Sequence, residues 1–171
     1  LVGFFKVVCC TTFFNDHLYI GTWGTGFVDF PLTGNGNRLQ LLPYGPIEND
    51  IFSIDATANE LWAVYGAYTL TYNPFPLSEK GISHFVQDSG WTNIPFTEVL
   101  GATDLANVAI NPENPSQVFI PSFHSGLLEI NDNVATNLLA DTNSPYERSN
   151  VTDGGLRING GTYDSQNNLW I

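Results

Sequence analysis

The chain has 171 residues, 43% of them hydrophobic and 13% charged, and its 17 acidic against 5 basic side chains leave a formal net charge of −12. That charge repels phosphate backbones and offers no basic stripe, which argues against nucleic acid as a partner. No apolar run approaches the roughly 20 residues that crossing a bilayer requires, so no transmembrane segment is expected; the longest, Leu1 to Phe14, is broken by Lys6, Thr11 and Thr12 and reads as a buried strand.

In chain order, the first strands are read at Phe5–Phe13, Leu18–Thr22, Phe27–Phe30 and Arg38–Leu42, short runs rich in β-branched and aromatic residues. Turn formers separate them: Asn15-Asp16, Gly24 to Gly26, and Thr33 to Asn37. The next group is Ile51–Asp55, Leu61–Tyr65, Thr69–Tyr72 and Ser83–Gln87, and the third is Asn107–Ile110, Val118–Ser122, Leu127–Ile130 and Val134–Leu139. The last stretch supplies Leu156–Asp164 and a short Leu169–Ile171. Helix is nearly absent from the pattern. Phe96–Ile110 competes, with Val99, Leu100, Leu105 and Val108 able to share a face, but Gly101 and the NPENP run at Asn111–Pro115 weaken it.

These groups repeat one another. HLYIGTWGTGF at His17–Phe27 is echoed by ELWAVYGAYTL at Glu60–Leu70, by QVFIPSFHSGL at Gln117–Leu127, and by NLWI at Asn168–Ile171. The copies begin roughly 40 to 60 residues apart, near the roughly 40 to 50 residues of one propeller blade. The fold expected is all-β: a partial β-propeller of about three and a half four-stranded antiparallel blades, at 4–43, 51–87, 107–139 and 156–171, in one domain over 1–171. A propeller closes with about four to eight blades. The chain is therefore expected to be a fragment of a larger propeller protein.

Sites for chemistry are sparse. Cys9 and Cys10 are neighbours on one strand, so their side chains should point to opposite faces and act as two small buried hydrophobes. His17, His84 and His124 are scattered and give no metal-ligand spacing. Asp88 to Thr92 resembles the Asp-box turn of sialidase-type propellers, but its offsets fail and an ordinary hairpin is favoured. Asp164 to Asn168 offers oxygens to calcium yet lacks the glycine and terminal Glu of an EF-hand loop, so a solvated hairpin loop is favoured there too. Asn150-Val151-Thr152 fits an N-glycosylation acceptor only where that machinery exists. Asp29 and Glu129 occupy equivalent third-strand positions, the mark of a repeated surface site rather than a catalytic pair. No catalytic residue, metal or cofactor is expected.

One constellation comes from the repeat itself. Aligned copies place Thr22, Tyr65 and Ser122 where the second strand leaves its blade. The following columns are Trp23, Gly66 and Phe123, then Gly24, Ala67 and His124, then Thr25, Tyr68 and Ser125. Trp23, Tyr65, Tyr68, Phe123 and His124 are thus the candidate ligand or partner face. Exposed rings there would stack on sugars or anchor a protein; rings wedged between blades would instead be core, and the wedge is favoured.

LYIGTWGTGFVDF (18–30) and TYDSQNNLWI (162–171) resemble the short repeat of two-component regulator propellers. Trp91-Thr92, the run Val108–Ile130, Thr142–Glu147 and the closing RINGGTYDSQNNLW resemble more particularly the PorZ family of the type IX secretion system of Bacteroidetes. That resemblance implies a large extracytoplasmic protein, in the periplasm or at the outer-membrane surface of a Gram-negative bacterium. It would carry two propellers and a C-terminal signal domain, in a complex that handles secreted cargo and anionic lipopolysaccharide. The function implied is a noncatalytic binding and scaffold module whose partners are other secretion-complex proteins, lipopolysaccharide or another glycan. A periplasmic carbohydrate-sensing propeller of a hybrid two-component system is the alternative, and a propeller glycosidase or lyase is third.

Overall fold

The computed structural model of the chain describes residues 8–23, 26–33, 39–41, 44–66, 68–150 and 154–171. They form two compact units, Leu1–Tyr44 and Gly45–Ile171. The first holds one four-stranded antiparallel sheet in sequential order: β1 (Val8–Phe14), β2 (His17–Thr22), β3 (Phe27–Pro31) and β4 (Leu39–Leu41). Its β1–β2 turn is the expected Asn15-Asp16, both with positive φ (49° and 61°), the geometry a two-residue hairpin requires.

The second unit holds two more four-stranded meanders and a hairpin. The second sheet is β5 (Ser53–Ala56), β6 (Glu60–Val64), β7 (Ile82–Val86) and β8 (Gly90–Ile94). The third is β9 (Ala109–Ile110), β10 (Gln117–Ser122), β11 (Gly126–Asn131) and β12 (Val134–Leu139). The hairpin is β13 (Thr162–Tyr163) with β14 (Leu169–Trp170). Phe96–Glu98 forms a single 3-10 turn, and the 96–110 segment makes no α-helix.

Strand alternation gives the third sheet two buried faces. Val118 and Ile120 of β10, with Leu128 and Ile130 of β11, join Trp62, Val64, Ile82 and Ile94 of the second sheet in one core. Leu127, on the opposite face, packs with Leu156 and Ile158, and Phe119, Leu139 and Leu169 pack against them. Period-2 patterning thus buries both faces of this sheet, each burial of a Leu, Ile or Val side chain contributing roughly 1.5–3 kcal/mol.

A polar clamp recurs on the inner strands of each four-stranded sheet. His17, Glu60 and Gln117 open β2, β6 and β10 and lie opposite Pro31, Val86 and Asn131. Each bonds the side chain two residues before its opposite: His17 Nδ1 with Asp29 Oδ1 at 2.5 Å, His84 Nε2 with Glu60 Oε2 at 2.8 Å, and Gln117 Nε2 with Glu129 Oε1 at 2.9 Å. Long side chains reach such diagonal neighbours. Asp29 and Glu129 are therefore equivalent strand-to-strand ties. In the second sheet His84 also contacts Asn133 Oδ1 at 2.6 Å through Nδ1 and stacks on Trp62 at 4.0 Å, tying that sheet to the β11–β12 turn.

Four readings from the sequence change. Of the run Leu156–Asp164 only Thr162–Tyr163 forms a strand. Thr69–Tyr72 is a turn rather than a strand: Tyr72 N–H donates to the Thr69 carbonyl and Tyr72 has a φ of 55°. The third strand of this sheet is Ile82–Val86, which overlaps the run assigned as its fourth, and the fourth is Gly90–Ile94. Pro74 and Pro76, which lack an N–H for a ladder, stand in the inserted segment 65–81 that lengthens this repeat. Next, β1 is exposed along its whole length rather than buried. Lastly, Cys9 and Cys10 are both exposed, with their sulfurs 3.5 Å apart on one side of the strand, because the register shifts between Val8 and Cys10 and interrupts the alternation.

Candidate functional site

The insertion between β6 and β7 builds an aromatic surface on the second unit. Thr69 fixes its turn: its Oγ1 accepts from the Thr71 and Asn73 N–H groups, and its own N–H donates to the Asn73 carbonyl at 3.0 Å. This turn presents Tyr72 stacked on Tyr68, ring centroids 5.3 Å apart. Tyr68 packs on Phe123 of the β10–β11 turn at 4.4 Å and meets Phe52 edge-on at 5.1 Å. The Arg157 guanidinium lies 5.2 Å from the Phe123 ring centre, and its Nη1 donates to the Tyr72 carbonyl at 3.5 Å. Phe123 is buried, while Tyr72 is 61% exposed and Phe52, Phe75 and Leu70 are exposed around it. Stacked rings with an open face and a cation on the flank suit a sugar ring or the apolar side chain of a partner.

The five residues expected at this face separate. Tyr68, Phe123 and His124 come together here, with His124 edge-on to Phe75 at 5.9 Å. Tyr65 is buried and donates its hydroxyl proton to Ser83 Oγ at 2.5 Å, so it belongs to the second sheet's interior; burial pushes its phenol above the ordinary value. Trp23 lies in the first unit, 72% exposed, and its neighbours Gly24 and Thr25, like Ala67, lie outside the described residues. Sequence reasoning missed Phe52, Tyr72, Phe75 and Arg157. The NPFP stretch at 73–76, which breaks a strand, was the signal for an insertion bearing Tyr72 and Phe75; nothing in the repeat pointed to Phe52 or Arg157.

A cleft of about 370 Å³ adjoins His124, lined also by Thr103, Ser125, Asp141, Arg148 and Leu156. Ser122 Oγ anchors its floor, donating to the Thr103 carbonyl and accepting the N–H groups of His124 and Ser125. Gly155 stands where a Cβ would come within 2.6 Å of the His124 ring, so any larger residue would have to displace that imidazole. Asp104 is fully buried nearby. The Ser78 N–H donates to its Oδ1 at 2.9 Å and Oδ2 has no partner. Burial pushes this carboxyl up, against the pull of the Ser78 amide and of His124. At the rim Arg148 Nε donates to Asp141 at 2.6 Å, which holds that carboxyl below its usual range.

Asp88 and Ser89 lie in the β7–β8 hairpin turn, with Val86 opposite Gly90 and positive φ at Asp88 and Gly90, and Gly90 to Thr92 begin β8. Asp164 is occupied by protein donors: the Gln166 and Asn168 N–H groups, Asn168 Nδ2 and Trp170 Nε1. Those donors lower its carboxyl far below the usual range, the Trp170 indole most. Four donors leave it structural work at the β13–β14 turn. Among the described residues no group of three or more His, Cys, Asp or Glu side chains could hold a metal ion. Asn150 begins the glycosylation triplet whose remaining residues lie outside the described ones.

Meanders in sequential order, sharing cores face to face within the second unit, define the blades of a β-propeller. Comparison with solved structures agrees: PorZ of Porphyromonas gingivalis, described as an essential bacterial surface component of the type-IX secretion system, matches with a TM-score of 0.61 over 91% of this chain at 19% identity. The fold is thus that of a partial propeller like the one in PorZ, and the chain spans 21% of the PorZ chain it matches. A chain of an S. cerevisiae complex of Dbp5, Nup159 and Gle1 matches with a TM-score of 0.24 at 10% identity, covering 95% of this chain and 60% of that one, and bears on nothing here. No protein family and no curated protein matches the sequence.

Proposed function

We propose that the chain is a noncatalytic propeller module of an extracytoplasmic surface assembly, akin to a type IX secretion component, and that the Tyr68–Tyr72–Phe123 surface is where it binds. Support for the setting comes from the PorZ-like fold. The observation that carries the binding reading is the exposed Tyr72 ring stacked on Tyr68, which offers an apolar aromatic surface on which a sugar ring can stack. A pyranose ring of a surface glycan is the ligand class this platform suits best. A partner protein is the second reading, favoured by Leu70, which stands fully exposed at the tip of the insertion.

Titration with a panel of oligosaccharides tests the proposal. Tyr72→Ala should weaken binding about thirtyfold, the ~2 kcal/mol of a well-placed aromatic contact, with the melting temperature unchanged. Binding that survives Tyr72→Ala, or a variant that melts early, would return these rings to the core.

A further inference from the structure

We propose that Cys9 and Cys10 form a vicinal dithiol site, which thiol–disulfide exchange closes reversibly into a ring within β1. Adjacent residues of a regular strand face opposite sides and cannot meet. Here Val8 pairs with Thr22 and Cys10 with Gly21, so Cys9 is the extra residue of an irregularity and has no ladder partner. That displacement brings the two sulfurs to 3.5 Å. Both lie over Gly21, where a Cβ would come within 2.5 Å of the Cys10 sulfur and 3.1 Å of the Cys9 sulfur, so the absence of a side chain opens the space the pair occupies. Both thiols are exposed and free to meet a reagent.

The chemistry balances with a small-molecule disulfide as oxidant. One cysteine thiolate attacks a sulfur of oxidised glutathione, forming a mixed disulfide and releasing one glutathione thiolate. The second cysteine gives its proton to water, attacks the protein sulfur of that mixed disulfide, and releases the second glutathione thiolate. Two protein thiols are oxidised and one disulfide is reduced. Cys10's thiol beside it raises the Cys9 thiol above its ordinary value, so exchange quickens with rising pH. Consecutive α-carbons sit about 3.8 Å apart, short of the roughly 4.4 Å at which disulfides normally begin, so the ring is strained and readily reopened by thiols.

Intact mass after equilibration with oxidised glutathione reads the outcome. The wild-type chain should lose two hydrogens, keep no glutathione and stay unlinked to a second chain; Cys9→Ser and Cys10→Ser should each retain one glutathione. Dithiothreitol should restore the starting mass. Phenylarsine oxide, which bridges two close thiols, gives an independent reading: one should bind tightly to the wild type and be lost from either serine variant, with circular dichroism confirming that the variants fold. A wild-type chain that holds glutathione, links to another chain, stays unmodified, or binds the arsenical no better than the serine variants would overturn the proposal.

Discussion

The sheet β1–β4 and the sheet β9–β12 follow one plan, yet their side chains meet different surroundings. In the third sheet Val118, Ile120, Leu128 and Ile130 are fully covered on one face and Leu127 on the other. In the first, all of β1 is exposed, and Phe13, Phe30 and Leu39 stand open. Strand propensity and turn chemistry suffice to form a meander, whereas its burial depends on the sheets packed against its faces. The clamps repeat the lesson. His17 and Asp29 are 39% and 20% exposed, whereas His84 and Glu60 are 7% and 14% exposed.

The largest difference should appear in the apolar residues. Ile120→Ala or Leu128→Ala should cost about 3 kcal/mol, through lost transfer and a cavity among unyielding neighbours, whereas Phe13→Ala on β1 should stay within about 0.5 kcal/mol. Urea unfolding measures both, and comparable losses would break the contrast. The clamps should differ less. Glu60→Ala strands the His84 ring in a covered site and should cost about 1–3 kcal/mol, while Asp29→Ala, at an exposed pair, should cost under about 1 kcal/mol. Thermal melts of the two variants side by side check this.

A smaller and pH-dependent effect belongs to Asp104. Its folded carboxyl is raised above the ordinary 3.8, so the native state holds the proton more tightly than the unfolded chain. Its favourable contribution is full below 3.8 and is lost as pH rises through the raised value. Asp104→Asn keeps an oxygen for the Ser78 N–H and should raise stability at neutral pH while flattening this slope. Urea midpoints from acid to neutral pH would refute the assignment if wild type and variant ran parallel.

What the sequence made legible was local. Asn15-Asp16 declares its turn because only a few residue types accept the left-handed backbone a two-residue hairpin demands. The inward alternation of β10 and β11 shows in VFIPS and LLEI. Thr69–Tyr72 misleads because Thr and Tyr favour strands wherever they occur, and a turn held by the Thr69 hydroxyl leaves no periodic trace. Of the candidate face, Tyr68, Phe123 and His124 were visible from the repeat. Tyr65 turns inward, the alternative that the repeat left open, because equal alignment columns say nothing of which way a ring turns once an insertion follows. The cysteine pair escaped because a one-residue register shift has no signature in composition.

The account rests on the second and third sheets of the Gly45–Ile171 unit lying face to face as successive blades. The His84 Nδ1 contact with Asn133 joins them directly. A double-mutant cycle on His84 and Asn133 therefore tests it most plainly: the account predicts a coupling of about 1 kcal/mol, and strictly additive losses would contradict it.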